Sequence, residues 1–258
     1  MNIIREPSVY LVGKQIADDT EIERFLADHD VSSWSTDASV AGEKMVEVAG
    51  RVCYMSFAKP RPGGNKAYIE RLLSVGHGSV LEHSVWNFVI TGVSRSFTHE
   101  LVRHRAGFGY SQLSQRYVDE STADFVEPDC IGDDGELHEI WRAAVEHCQE
   151  AYVKLVHGLE HKFENVADKT LRRKMARQAA RSILPNATET KIFVTGNGRA
   201  LRHFIEMRAN EHAETEIRIV ASKVCEILKK DAPNLFGDYE LTQLDDGTKA
   251  ADTRWRKV

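Results

Sequence analysis

Residues 103–117 read Arg103-His104-Arg105-Ala106-Gly107-Phe108-Gly109-Tyr110-Ser111-Gln112-Leu113-Ser114-Gln115-Arg116-Tyr117. Arginine forks suit planar or phosphorylated anions. Two glycines flank a phenylalanine, and glycine lets a backbone approach a ligand closely or take positive φ. The local chemistry fits two readings. One is a loop gripping a phosphorylated ligand. The other is a polar helix end followed by an exposed turn.

Just upstream, residues 85–93 (VWNFVITGV) form the clearest strand pattern. Both faces carry apolar groups, so it reads as an interior strand. Ser94 is a good N-cap for a helix to about His104. On it Arg95, His99 and Arg103 share a face, with Glu100 placed to pair with Arg103 and His104. The helix thus delivers positive charge into the glycine loop.

Further upstream, 8–13 reads as a first strand, followed by a polar connection to about Asp37. Helical spacing covers 40–54 and 66–75, separated by a proline-glycine loop at 59–64. Residues 76–83 (GHGSVLEH) hold two histidines but no third ligand, so a turn presenting polar groups is expected rather than a metal site. Downstream, 117–134 is acidic and irregular. Amphipathic helices are expected over 137–163, 168–183 and 214–230. A short strand at 190–195 leads through a tight turn, Gly196-Asn197-Gly198-Arg199, into another helix. An edge strand is expected at 235–241, and fraying from Asp245. The whole chain reads as one domain, 1–258.

Composition narrows the function classes. The 258 residues carry 39 acids and 34 bases, against a globally basic nucleic-acid binder. No apolar run is long enough to cross a bilayer. The start, MNIIREPSVYLVG, lacks the pattern of a signal peptide. Cys53, Cys130, Cys148 and Cys225 are scattered, as expected of free thiols in a cytoplasmic protein.

The motif RHR followed by Ser111-Gln112-Leu113-Ser114-Gln115-Arg116-Tyr117 resembles the signature of the flavin-dependent thymidylate synthases. Gly76-His77 with Glu82-His83, the Arg177–Arg181 block before Leu184-Pro185-Asn186, and Thr195–Arg199 through Arg208 resemble further blocks in family order. The usual spacing is RHR, seven residues, then serine. Here eight residues, 106–113, intervene. The pattern of strands and helices reads as an α/β (α+β) mixture, and the resemblance implies a central, mostly antiparallel sheet flanked by helices. It implies a homotetramer with active sites at subunit junctions, FAD, methylenetetrahydrofolate as carbon donor and NADPH as reductant. The implied reaction is reductive methylation at uracil C5, dUMP to dTMP. One branch, associated with nucleoside-antibiotic synthesis, is similar to UMP C5-methylases, and the lengthened loop keeps UMP open as a substrate.

The same resemblance assigns residues. Gln112, Ser114, Gln115 and Arg116 would hold the nucleotide, with Arg95 and Arg181 at phosphate or sugar. Arg208 would act at the uracil carbonyls as the catalytic group. Arg103, His104 and Arg105, with Ser79 and Glu82, would hold FAD. Asn197, Arg199 and His203 would face the flavin, and His77 the flavin or the folate. Tyr110 is left open between stacking and packing. A contrasting reading, a nucleotide- or RNA-binding module on the 103–116 patch, would need an extended face of interleaved aromatic and basic groups.

Overall fold

A computed structural model describes residues 1–31, 34–59 and 62–256. Pro60 and Arg61, in the expected proline-glycine loop, lie outside the described residues. The chain opens with β1 (Ile3–Ile4) and β2 (Ser8–Lys14). Then comes α1 (Asp19–Asp28), where a polar connection was expected. Asp18 caps it by accepting from the Glu21 amide at 3.2 Å. Ile22, Phe25 and Leu26 make a short stripe against Val48 and Phe57. With three apolar residues, this helix depends on that packing rather than on propensity.

Next come α2 (Ala41–Val52), α3 (Gly64–Ser74) and a 3-10 turn, Gly78–His83. Gly76, at φ 72°, ends the α3 segment as expected. β3 (Val85–Ser94) runs into α4 (Arg95–Leu101), which stops three residues short of the expected end. β4 (Phe108–Gln112) is a strand inside the stretch read as a loop. β5 (Phe125–Val126), α5 (Asp129–Gly132), α6 (Gly135–Lys162) and α7 (Lys169–Ala180) follow, with a 3-10 turn at Arg181–Ile183. β6 (Glu189–Asn197) passes directly into α8 (Gly198–Arg208), without a separate turn. The chain closes with α9 (Thr215–Asp231), α10 (Pro233–Phe236), β7 (Glu240–Gln243) and β8 (Lys249–Asp252).

Four strands form a sheet in the order β2-β3-β6-β4. β3 is interior, as its doubly apolar pattern implied, with Trp86, Phe88 and Ile90 at most 2% exposed. β1 pairs parallel with β5, and β7 antiparallel with β8. The architecture is the expected mixed α/β class, with antiparallel pairing and helices.

Both long inner strands end in the same device. Ser94, at φ −76° and ψ 163°, accepts from the Phe97 amide at 3.0 Å. Asn197, at φ −82° and ψ 164°, accepts from the Ala200 amide at 2.8 Å. An extended cap residue lets a strand become a helix with no intervening turn.

The chain traces two compact units. The first comprises Met1–Ser8, Ile90–Arg103 and Ser111–Phe193. Its cores are Ala123–Phe125–Val145 and Tyr152–Val156–Ala180. On α6 the expected apolar stripe splits. Val145, Tyr152 and Val156 are buried, whereas Leu137, Ile140 and Leu155 are 46, 62 and 42% exposed. The second unit comprises Val9–Val89, His104–Tyr110 and Val194–Val258. It is built on α9, whose Ile217, Val220, Ala221, Val224, Cys225 and Leu228 are all buried.

The tail expected to fray carries β8 instead. The Ala251 amide donates to the Ala209 carbonyl at 2.7 Å, and Arg218 donates to Thr248 Oγ1 at 3.0 Å. The edge strand expected at 235–241 is met only at its end, by β7, because Leu235 and Phe236 belong to α10, which Pro233 opens at its first turn. All four cysteines are free. Among the described residues, no helix is long and apolar enough to cross a membrane.

Candidate functional site

The sequence-derived residues separate between the two units. His77, Ser79, Glu82, His104, Arg105, Asn197, Arg199, His203 and Arg208 lie in the α9 unit, and Arg95, Arg103, Gln112, Ser114, Gln115, Arg116 and Arg181 in the other. With Arg103 and Arg208 as the exceptions, the residues assigned to flavin share the α9 unit and those assigned to the nucleotide share the other.

In the α9 unit, α8 carries His203 and Arg208 on successive turns. Arg208 Nε donates to His104 Nε2 at 2.9 Å. The imidazole packs edge-on to Phe204, 5.3 Å between centroids at 87°. Burial first, then the charge of Arg208 and the neighbouring His203, pull the His104 ring down to about 4. It is therefore neutral at physiological pH. Tyr110 Oη donates to the His104 carbonyl at 2.5 Å, and burial raises that phenol. The Tyr110 ring stacks on Phe108, 5.8 Å apart and within 6° of parallel. Tyr110, left open by sequence, thus packs and anchors the loop.

His104 provides a pH test. Its folded value lies below the ordinary 6.5, so as pH falls the unfolded chain binds this proton first. Its contribution to stability is complete above the unfolded value and is lost as pH falls from 6.5 towards 4. NMR titration of the folded protein should show the His104 ring protonating only near pH 4. Arg208→Gln should move that midpoint upward.

Gly107 shapes the same loop. Its φ is 75°, and a Cβ there would lie 2.6 Å from Asn197 Nδ2 and 2.8 Å from the Ala200 Cβ. The Asn197 amide also donates to the Gly107 carbonyl at 3.0 Å. The loop is therefore pressed onto the α8 cap. Gly107→Ala should cost about 1–3 kcal/mol in a thermal or urea melt, because it is strained in φ and also displaces the cap.

The strand-to-helix junction also meets the 3-10 turn. The Gly198 amide donates to the Ser84 carbonyl at 2.8 Å, and a Cβ on Gly198 would lie 2.8 Å from the Leu81 carbonyl oxygen. This brings Arg199 to Glu82, paired at 2.7 Å with both side chains about half exposed. Such a surface pair is worth about 0–1 kcal/mol, so either group can be released to a ligand at little cost. His77, Ser79, Arg105 and His203 are exposed. Asn197 is committed as the α8 cap, which leaves its Nδ2 for other contacts.

In the other unit, α4 and the segment after β4 hold the remaining residues. Arg95 Nη2 donates to the Leu113 carbonyl at 2.9 Å. Burial lowers the Arg95 guanidinium, Glu120 opposes that, and Arg181 adds to it. Ser114 Oγ accepts from the Arg116 amide at 3.4 Å and its carbonyl starts a turn over 114–118. Four buried nitrogens here have no hydrogen-bond partner: Arg95 Nε, Gln115 Nε2, Arg116 Nε and Arg177 Nε. Buried polar groups are normally satisfied, so these donors point to a ligand or a second chain. Gln112 is spent differently. Its Nε2 donates to Thr98 Oγ1 and Thr190 Oγ1 at 3.1 and 3.3 Å, bracing β4. Arg103, past the end of α4, donates to the His99 carbonyl at 3.1 Å and is exposed.

Sequence reasoning missed Glu120 and the grip of α7 on residues 117–119. Glu120 is 5% exposed, with Oε1 unpartnered. Burial raises its carboxyl, against the pull of Arg95. Arg177 donates to the Tyr117 carbonyl and to Asp119, both at 2.7 Å, and Lys174 lies 4.8 Å over the Tyr117 ring. The basic side of α7 is legible in the sequence, and the segment it grips reads there as acidic and irregular, with nothing local to pair the two.

Residues 36–234 match the family model for thymidylate synthase complementing proteins. The chain belongs to that family. This thymidylate synthase complementing protein family member is 54% identical over 229 residues to a flavin-dependent thymidylate synthase of Mycolicibacterium gilvum (strain PYR-GCK), covering 88% of this chain and 90% of that protein. It is 53% identical, with the same coverage, to a flavin-dependent thymidylate synthase of Mycobacterium avium (strain 104). The family member also shares the fold of PolB, a UMP/dUMP methylase from Streptomyces cacaoi solved with 5-Br dUMP. That likeness has a TM-score of 0.67 at 20% identity and covers 92% of this chain and 96% of that one.

Proposed function

We propose that this chain is a flavin-dependent thymidylate synthase that methylates dUMP at uracil C5 to give dTMP. The observation that carries the reading is the set of buried, unpartnered donors at Arg95, Gln115 and Arg116, in a chain of this family. A nucleotide monophosphate is a dianion with fixed acceptors, and Arg forks match it. Ser114 and Arg181 complete that donor set, while Gln112 acts from behind by fixing β4.

FAD fits the exposed basic face of the α9 unit. Arg105 and Arg199 offer charge to a pyrophosphate, Ser79 and Asn197 offer polar contacts, and His77, Glu82 and His203 border them. Arg103 adds charge from the neighbouring segment. The bound reduced flavin would supply the reducing equivalents, with the carbon taken from methylenetetrahydrofolate and NADPH as reductant. Arg208 is the catalytic residue in this scheme. Its guanidinium, at a uracil carbonyl, stabilises negative charge developing on the ring and makes C5 nucleophilic. No cysteine is required. Burial pushes the Cys225 thiol up to about 12, which removes it as a nucleophile. The exposed Leu137, Ile140 and Leu155 of α6 support an oligomer, read here as a homotetramer.

A second substrate, UMP, is favoured by one feature only, the eight residues between RHR and Ser114. The relatives above 50% identity are thymidylate synthases, which favours dUMP. The deciding experiment is FAD uptake together with tritium release from 5-tritiated dUMP and UMP, side by side. A yellow protein that turns over dUMP faster is expected. A colourless protein with no release, and steeply salt-dependent RNA binding, would leave the non-catalytic reading instead.

A further inference from the structure

We propose that His104 is a positioning residue for Arg208, with the lone pair of its Nε2 holding the guanidinium, and that Tyr110 in turn holds His104. The inference rests on the proposed C5 methylation and deepens it. It assigns the His104 ring to Arg208 rather than to the flavin.

Arginine only donates, so the 2.9 Å contact from Arg208 Nε requires a lone pair on His104 Nε2. The ring proton is then on Nδ1. An imidazole used in this way cannot also donate from Nε2 to a flavin phosphate. The ring is boxed in as well. Phe204 meets it at 5.3 Å, Phe108 at 6.1 Å and His203 at 6.0 Å, all edge-on or steeply inclined. Tyr110 secures the main chain of the same residue through its 2.5 Å bond to the His104 carbonyl. Its ring lies flat on Phe108, so the hydroxyl and the box are one assembly. Between them, Gly107 turns the chain at φ 75° against the α8 cap.

A long arginine side chain has many rotamers, and catalysis by charge stabilisation depends on where the charge sits. His104 removes that freedom at the guanidinium end nearest the stem. The loop that carries one residue more than the family spacing, 106–110, is therefore the support of the candidate catalytic arginine. Its length bears on rate through Arg208 rather than on flavin affinity.

The test uses the full-length, flavin-loaded protein with His104→Leu, His104→Gln and Tyr110→Phe. His104→Leu should lower kcat for dUMP about 10–100-fold, the scale expected of a misplaced catalytic group, while KM and flavin occupancy stay near wild type. Glutamine can present an acceptor oxygen to Arg208, so His104→Gln should recover most of the loss. Tyr110→Phe should lower kcat in the same direction. In an Arg208→Ala background, His104→Leu should change kcat no further, because the two act as a unit. Loss of flavin from both His104 variants, with kcat per bound flavin unchanged, overturns the proposal. Should a variant fail to fold, the 15N signals of the wild-type His104 ring decide. A lone-pair nitrogen at Nε2 supports the pairing, and a protonated Nε2 overturns it. That readout stands even if the wild type neither takes up FAD nor turns over a uridylate, which would sink the functional reading alone.

Discussion

Arg208→Ala is expected to lower kcat for dUMP by about 10²–10³-fold, the usual consequence of removing one preorganised donor at developing charge. The protein should stay folded and yellow, since Arg208 sits in the last turn of α8 and is only partly buried. The loss should fall on kcat more than on KM, because the developing charge exists only in the transition state. Arg208→Lys should recover little. A lysine supplies charge but not the planar fork, and it does not reproduce the Nε bond to His104. If Arg208→Ala retains wild-type tritium release, the catalytic assignment fails.

The largest effect on stability is expected from Asp238→Ala. Arg202, on α8, is 2% exposed, and its fork meets both oxygens of Asp238 at 2.7 Å. It also donates to the Leu235 carbonyl at 2.6 Å and lies 4.8 Å over the Tyr239 ring. Thr253 donates to Asp238 from the C-terminal hairpin. Removing the carboxylate leaves a buried charge uncompensated, at about 3–5 kcal/mol, or a fall in Tm of roughly 6–20 °C. Replacing both partners by apolar groups, Arg202→Met with Asp238→Leu, should recover most of that. Burial works to raise the Asp238 carboxyl, but the bonds and charge of Arg202 outweigh it and hold it below the ordinary 3.8. The contribution is therefore complete above 3.8 and is lost as pH falls below it through the folded value. Melts from pH 7 down to pH 3 would show this slope in the wild type and lose it in Asp238→Ala.

Much of the fold was legible because it is local. Periodicity marks α2, α6, α7 and α9, and the cap Ser94 places the start of α4 to the residue. The α1 helix was passed over because three apolar residues make a faint stripe, although Asp18 followed by Glu21 is a capping signal. The C-terminal hairpin was passed over because its polar residues read as solvated. Their partners, such as Arg218 for Thr248 and Asp246, lie about thirty residues away.

The same division holds for the candidate site. By itself, the sequence determined which residue types are present and in what order, because motif spacing is a property of the chain: the RHR stretch, the Ser114–Arg116 block and Arg208. Only the tertiary structure decided what those residues do to each other. It turned Gln112 inward to the threonines of neighbouring elements, buried Glu120 near Arg95, and joined His104 to Arg208 across 104 positions. Such contacts depend on how strands and helices pack, and packing geometry is not encoded in any local window.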